Sequence, residues 1–242
     1  MDGFSYYNIF ETKGMEYLII IAFLALLIPF SIMLNRKVKI KHQLQKAIRI
    51  LTTSVLKIPQ GVFHSHSHTW AHLAKSGIAK VGVDDLLLHI TGEVSVTFLK
   101  KSGEKIAKGE IMSVIAHEGK ALEIYSPVSG NITGTNPALN EQPGLMNEDP
   151  YGSGWLYKIK PADWKAETSS YYLAEAATDW SQMELLRFKD FLATTMPKYA
   201  TEASGVTFQD GGELRDNLLP DLPPEIWKDF QKAFLTPGEA VS

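Results

Sequence analysis

The longest apolar run of the chain extends from Met15 to Leu34, about twenty residues that include a single charge, Glu16. At about 1.5 Å of rise per residue, a helix of this length spans the ~30 Å hydrocarbon core of a bilayer. A buried core helix is seldom apolar for so long, and a removable signal peptide normally has a basic start and a small-residue cleavage site. The pattern therefore predicts one transmembrane helix, residues 15–34, after a tail of residues 1–14.

Charge flanking this run predicts its orientation. The basic residues on its C-terminal side are Arg36, Lys37, Lys39, Lys41, Lys46 and Arg49. Since positively charged flanks stay in the cytoplasm, we expect a single-pass protein of the inner (cytoplasmic) membrane. Its N-terminus would lie outside, its main domain in the cytoplasm, and residues 15–34 in contact with lipid.

Apolar residues then recur at helical spacing in a basic juxtamembrane segment, residues 35–60. Leu44, Ile48, Leu51 and Val55 predict an amphipathic helix over residues 42–57. Two interpretations stay open: a collar that lies on the membrane or binds a partner, and a stalk that packs on the domain it carries.

Beyond Gly61 the pattern changes to short β-branched and apolar runs separated by glycine, which is typical of strands. The predicted strands are Ile78–Val83, Glu93–Leu99, Ile111–Ala116, Ala121–Tyr125, Gly130–Thr135 and Trp155–Ile159. A short helix is predicted over Asp84–Ile90, with Asp84 as its cap. So many short strands in residues 61–164 favour a small β barrel or sandwich.

Two of these strands should form a β-hairpin whose turn is His117–Lys120. Gly119 stands where such a turn requires a positive φ. The sequence around Pro127 and Gly130 ends the second strand. Lys120 is the one lysine near the hairpin tip, so the chemistry of this hairpin depends on whether Lys120 carries a group.

Histidine alternates with serine in the stretch that contains His64, His66 and His68. On an extended strand these imidazoles would share one face, about 6–7 Å apart, and could bind a divalent metal such as zinc or nickel. No neighbouring carboxylate would orient them. The alternatives are therefore a metal site and a solvated polar strand or loop edge.

Composition removes several classes of function. The 242 residues include no cysteine, which excludes disulfides, thiolate zinc sites and iron–sulfur ligation by this chain. A net charge of −3 gives no general attraction to nucleic acid. Residues 165–242 contain neither a phosphate-binding glycine loop nor a nucleophile elbow, so we expect a protein that is not an enzyme.

A series of short motifs follows the order found in one protein family. The motifs are His68–Trp70, Ile78–Gly82, Gly92–Val94, Gly103–Glu110, Ile124–Gly130, Asn136–Asn140, Pro143–Asn147 and Asp149–Ile159. Through them, residues 62–164 resemble the H protein of the glycine cleavage system, in the lipoyl and biotinyl carrier domain superfamily. The resemblance implies a mainly β fold, a flattened barrel-sandwich hybrid with flanking helices.

In that family a lysine at the hairpin tip carries lipoate, which shuttles an aminomethyl group and reducing equivalents between partner enzymes. An alignment without gaps from Tyr125 places Gly119 at the modified position and Lys120 one residue later. Ala116 replaces the family's upstream glutamate, with Glu118 displaced by two. A slip of one residue turns a side chain to the opposite face of a strand. The alternatives are lipoate on Lys120 and, as the preferred prediction, an exposed lysine on a hairpin that has lost its arm.

Residues 165–242 are predicted to be a helical extension. A helix over Trp180–Thr195, capped by Asp179 and stopped by Pro197, would bury a stripe made of Met183, Leu186, Phe188 and Leu192. A loop over Thr201–Gly212 and a second helix over Pro223–Leu235, with Ile226, Phe230 and Phe234 on one face, should follow. These helices would dock either on the barrel or on another subunit.

The predicted function is that of a membrane-anchored, H-protein-like accessory or docking subunit of a larger complex on the cytoplasmic face, without a lipoyl arm. Its partners would be other protein subunits of that complex. The alternative is a lipoyl carrier that uses Lys120 within a membrane-associated complex. A third class is a histidine-rich metal-sensing module.

Overall fold

The computed structural model describes residues 17–18, 20–27, 29–30, 51–199 and 214–238. The chain divides into two compact units, Met1–Arg49 and Ile50–Ser242. In the first unit the described residues are helical, and their large apolar side chains are exposed. No helix among the described residues combines the length and hydropathy needed to cross a membrane. The remaining positions of the predicted span, residues 15–34, lie outside that description.

The second unit is built on two antiparallel sheets. The larger sheet has six strands in the order β1-β2-β3-β9-β8-β5: β1 Phe63–His64, β2 Thr69–Leu73, β3 Ala79–Val83, β5 Lys105–Ile106, β8 Gly130–Thr135 and β9 Tyr157–Pro161. The smaller sheet has three strands in the order β4-β6-β7: β4 Ser95–Phe98, β6 Ile111–His117 and β7 Lys120–Tyr125. In the order of the smaller sheet, β7 is therefore an edge strand.

Short helices flank the sheets: α1 Asp85–Thr91, α2 Ala138–Glu141, α3 Leu145–Glu148 and α4 Trp164–Thr168. Two longer elements close the unit, α5 Glu175–Tyr199 and α6 Pro224–Phe230, the second preceded by a 3₁₀ turn, Leu219–Asp221, and followed by a π-helical turn, Gln231–Leu235. This mainly β architecture with flanking helices confirms the predicted fold class in its coarse form.

The predicted strands and the first short helix are confirmed to within about two residues. The carboxylate of Asp84 caps α1 by accepting the N–H of Leu87 at 2.8 Å, as the sequence indicates. Strands β1, β2 and β5 were not predicted. β1 and β5 have only two residues each, too few to show an alternation.

The amphipathic helix predicted over residues 42–57 is wrong in its described part, residues 51–57. These residues form a turn in which Thr52 C=O accepts the N–H of Val55 at 3.0 Å. Leu51 is buried in the core, and its N–H donates to Leu214 C=O at 2.8 Å. Leu51, one of the residues whose spacing predicts the helix, thus packs against the domain. Residues 42–50 lie outside the part of the chain that the structure describes.

The helix predicted over Trp180–Thr195 is longer at both ends, since α5 runs from Glu175 past Pro197 to Tyr199. Asp179 therefore lies within the helix and is not its cap. Its predicted stripe is only half correct: Phe188 and Leu192 are fully buried, but Met183 and Leu186 are 62% and 59% exposed. The true buried face is rotated, and it includes the charged side chain of Glu184, which the apolar pattern could not reveal. The buried positions are Ala177, Trp180, Ser181, Glu184, Leu185, Phe188, Leu192 and Thr195.

The second predicted helix is confirmed as α6 and its π-helical continuation, with Ile226, Phe230 and Phe234 buried. Phe230 stacks on Phe234 at 4.7 Å between ring centroids and meets Phe188 edge-on at 5.7 Å. These rings belong to the same buried cluster as the barrel core. The C-terminal helices therefore dock on the domain of their own chain, and the predicted loop Thr201–Gly212 lies outside the described residues.

One glycine of the family motifs has a packing role. Gly82 lies within β3 and pairs with Trp70 of β2 across the sheet. A Cβ atom on Gly82 would lie 2.8 Å from the indole of Trp70, which is fully buried. The glycine therefore makes room for the indole.

Candidate functional site

The tip of the β6–β7 hairpin is a two-residue turn. His117 pairs with Lys120, and the two residues between them, Glu118 and Gly119, have φ values of +46° and +82°. Positive φ at both central positions is the geometry of a type I′ turn, which matches the twist of the strands. The predicted turn is confirmed, and Gly119 occupies the exposed apex at the position where the family resemblance expects the modified lysine.

Lys120 is not the exposed lysine that the sequence predicts. Its Nζ donates to the backbone carbonyl of Pro220 and, at 3.2 Å, to that of Leu222. The ammonium also lies 5.8 Å from the ring centroid of Trp227. The prediction fails because two main-chain oxygens, about a hundred residues further along the chain, bind the amine, and side-chain patterns carry no record of such partners.

The carbonyls that bind Lys120 belong to a well-anchored turn. Trp227 is buried and donates its indole N–H to Leu219 C=O at 2.8 Å. Leu219 and Leu222 are buried as well. The packing of these side chains fixes the position of the carbonyls that the ammonium contacts. In this arrangement the Lys120 side chain is half buried, and the nitrogen that would form a lipoyl amide donates two hydrogen bonds.

A second contact ties the C-terminal segment, which we define as residues 214–238, to the edge of β7. The side-chain carboxamide of Gln231 accepts the Glu123 N–H at 2.7 Å and donates to the Glu123 C=O at 3.2 Å. A carboxamide offers the same donor and acceptor as a peptide group. Gln231 therefore makes the two hydrogen bonds with Glu123 that a residue of a neighbouring strand would make.

The other end of the C-terminal segment is clamped to α1. His89 contacts Asp216 at 2.8 Å and Asp85 at 3.5 Å, and its C=O accepts the Asn217 N–H at 2.7 Å. Burial by itself would lower the pKa of His89, but the two carboxylates outweigh it and raise that pKa to about 9. The raised pKa favours the protonated form of His89, whose ring lies between the carboxyl groups of Asp85 and Asp216.

The three histidines proposed as metal ligands do not share a face. β1 ends at His64, and a turn separates it from β2, which begins at Thr69. His64 and His68 are buried. His66 is exposed, and its Nδ1 lies 3.2 Å from the hydroxyl of Tyr172. Among the described residues no group of three histidine, aspartate or glutamate side chains could hold a metal ion. The three imidazoles therefore lack the shared face that the metal hypothesis assumes, and His64 and His68 are buried side chains, not part of a solvated edge.

His68 instead joins the barrel to α5 through a buried set of charges. Its Nδ1 lies 2.9 Å from Asp84, and its Nε2 lies 3.4 Å from Glu184. Glu184 accepts two hydrogen bonds from Arg187, at 2.8 and 3.0 Å, and Arg187 also donates to the carbonyl of Ala233. Burial lowers the pKa of His68, but Asp84 and Glu184 more than compensate and raise it to about 9.

A cavity of about 450 Å³ lies beside these groups. Its walls include Trp180, Tyr172, Lys108 and Arg187, and its rim includes Pro237 of the C-terminal segment. Tyr172 stacks on Trp180 at 5.1 Å. The two cationic side chains of the cavity wall already have partners: Lys108 donates to Glu167 C=O at 2.6 Å, and Arg187 forms an ion pair with Glu184.

The sequence model of a family described as "Glycine cleavage H-protein" matches residues 62–183, half of the chain. The probable glycine cleavage system H protein of Thermococcus kodakarensis is 31% identical over 124 residues, which cover 51% of this chain and 92% of that protein. The glycine cleavage system H protein of Thermus thermophilus is 37% identical over 108 residues, covering 45% of this chain and 84% of that protein.

Among solved structures, a crystal structure of a glycine cleavage system H protein from Mycobacterium marinum is 24% identical, with a TM-score of 0.42. The match covers 52% of this chain and 98% of that one. In each comparison the similar region takes up about half of this chain.

Proposed function

The chain belongs to the glycine cleavage H-protein family, and on that premise we propose that it is an accessory or docking subunit of a larger protein complex. In this proposal it has no lipoyl arm and is not an enzyme. Its partners are other protein subunits, which it meets through the barrel and the C-terminal helices.

The observation that carries the proposal is the state of the hairpin tip. Gly119 occupies the apex, where a carrier needs its lysine, and has no side chain to modify. Lys120 points into the C-terminal segment and is bonded to two of its carbonyls. A swinging arm requires an amine that projects from the apex, and this hairpin presents none there.

We further propose that residues 15–34 anchor the chain in the inner membrane, with residues 1–14 outside and residues 35–60 as a basic juxtamembrane segment. The H-protein-like region would be residues 61–164, followed by an extension, residues 165–242. The exposure of the apolar side chains of the described residues 17–18, 20–27 and 29–30 supports an anchor, because exposed apolar surface marks contact with lipid or protein.

We expect the mass of the intact protein, purified from membranes of its native host, to show no lipoyl adduct. As a positive control, the Thermus thermophilus H protein is incubated with a lipoate ligase. A matched double variant, Gly119→Lys with Lys120→Ala, should become a substrate for that ligase. The space around Gly119 is open among the described residues, and its positive φ costs a lysine only about 1–2 kcal/mol.

A lipoyl adduct on Lys120 in the native protein, lost in Lys120→Ala, would overturn the docking proposal. It would establish the alternative, a carrier that shuttles aminomethyl groups or reducing equivalents by way of lipoyl-Lys120. Family membership favours that alternative. Affinity purification from native membranes would then identify the partner subunits in either case.

The anchor is tested with single cysteines, which the chain otherwise lacks. In intact host cells whose outer layers have been permeabilised, a membrane-impermeant maleimide should label Ser5→Cys, and it should label Ser242→Cys only after lysis. Release of the protein by alkaline carbonate, or labelling of Ser242→Cys before lysis, would contradict the proposed anchor and orientation.

A further inference from the structure

We propose that the positive charge of Lys120 is a latch that holds the C-terminal segment closed over the hairpin, so that acylation of its amine and closure of the segment exclude each other. The inference rests on the proposed docking function of the chain and adds a means of regulating it through the hairpin.

The first argument is the chemistry of the amine. A lysine ammonium has three N–H donors, and here two of them meet the carbonyls of Pro220 and Leu222 beside the face of Trp227. Acylation forms an amide between Nζ and the acyl carbon, expels the leaving group of the activated acyl donor and releases a proton. The amide nitrogen keeps one N–H and no charge, so it cannot make both hydrogen bonds or the contact with the ring.

The second argument is steric. Lys120 is half buried, and the carbonyls that it meets flank the buried side chains of Leu219 and Leu222. An acyl group on Nζ would crowd the turn Leu219–Asp221, because the Pro220 carbonyl of that turn accepts a hydrogen bond from the same nitrogen. The turn therefore has to move away from the hairpin when the amine is modified.

The third argument concerns what the movement uncovers. The same segment supplies Gln231, whose carboxamide satisfies the Glu123 N–H and C=O on the edge of β7. An edge strand with free N–H and C=O groups accepts an extended peptide as an additional strand. Opening would thus turn a closed edge into a docking edge for an extended segment of a partner protein.

The test is hydrogen–deuterium exchange of the full chain, read by mass spectrometry on peptides that cover residues 217–226. Two variants remove the charge: Lys120→Met keeps the length of the side chain, and Lys120→Gln imitates an acylated lysine. A hydrogen bond to a charged group is worth about a factor of ten or more in an equilibrium constant. We therefore expect exchange in this segment to accelerate about tenfold or more in both variants.

Two controls isolate the charge. Lys120→Arg keeps it and should exchange within about threefold of wild type, and Lys101→Gln neutralises an exposed lysine and should change nothing. Wild-type exchange in Lys120→Met and Lys120→Gln would overturn the latch. Equal acceleration in peptides from β8 would overturn it as well, because the effect would then be global.

The reactivity of the amine gives a second readout. With N-hydroxysuccinimidyl acetate, Lys120 of the wild-type chain should acetylate at least about tenfold more slowly than Lys101; equal rates would contradict the latch. Neither measurement involves a ligase or a partner protein. Failure here therefore leaves the docking proposal intact, and a lipoyl adduct in the native protein would leave the exchange result intact.

Discussion

Replacing His68 by asparagine should lower the free energy of unfolding by about 3–5 kcal/mol. The imidazolium lies between the carboxylates of Asp84 and Glu184 in a fully buried position. Removing one member of a buried ion pair leaves the remaining charge without compensation. Asparagine is the right replacement because His68 has a φ of +55°, a conformation that asparagine tolerates. Denaturant unfolding of the full chain in mild detergent measures the loss.

The pH dependence of that loss separates charge from packing. The pKa of His68 is raised from 6.5 to about 9 in the folded protein, so its stabilising charge is fully present below pH ~6.5 and is lost as the pH rises through ~9. The difference between wild type and His68→Asn should therefore shrink over that interval. As a control, His66→Asn, at an exposed position, should cost less than about 1 kcal/mol. A cost that does not change with pH would refute the charged state of His68.

Replacing Phe188 by alanine should destabilise the domain by about 3–5 kcal/mol, the usual cost of removing a buried aromatic ring. Phe188 is fully buried on α5 and meets the rings of Phe230 and Phe234 edge-on, at 5.7 and 6.1 Å. Its loss should therefore loosen the attachment of the C-terminal segment to the barrel. Urea unfolding of the full chain measures the effect.

The matched control is Leu186→Ala, two residues away on the same helix. Leu186 is 59% exposed, so its truncation should change the free energy of unfolding by about 0.5 kcal/mol or less. The apolar pattern of the sequence predicts equal burial for both residues. Equal costs for the two variants would mean that the rotation of α5 described above is incorrect.

Local patterns were enough to predict most of the barrel. The alternation in Ile111–Ala116 and Ala121–Tyr125, with Gly119 between them, predicts the hairpin because strand period and turn chemistry are properties of adjacent residues. Asp84 was recognisable as a helix cap for the same reason. The order of the family motifs supplied the fold class, which periodicity alone leaves as a barrel or a sandwich.

The remaining features depend on contacts between distant parts of the chain. From the sequence alone, Glu184 is expected to be a solvated charge on a helix. It is buried because α5 docks over His68. The partners of Lys120 are main-chain carbonyls, which every residue possesses and no pattern marks. The sequence therefore predicts the turn at the hairpin tip but not the hydrogen bonds that Lys120 makes there.

The close contact between Gly82 and Trp70 couples the side chains that the two positions can hold. Any side chain at position 82 displaces an indole that has nowhere else to lie, since Trp70 is wholly enclosed. A smaller residue at position 70 would leave room for a side chain at position 82, and without one it would leave a void where the indole lies. Because Trp70 and Gly82 pair across neighbouring strands, a side chain at position 82 requires a smaller residue at position 70.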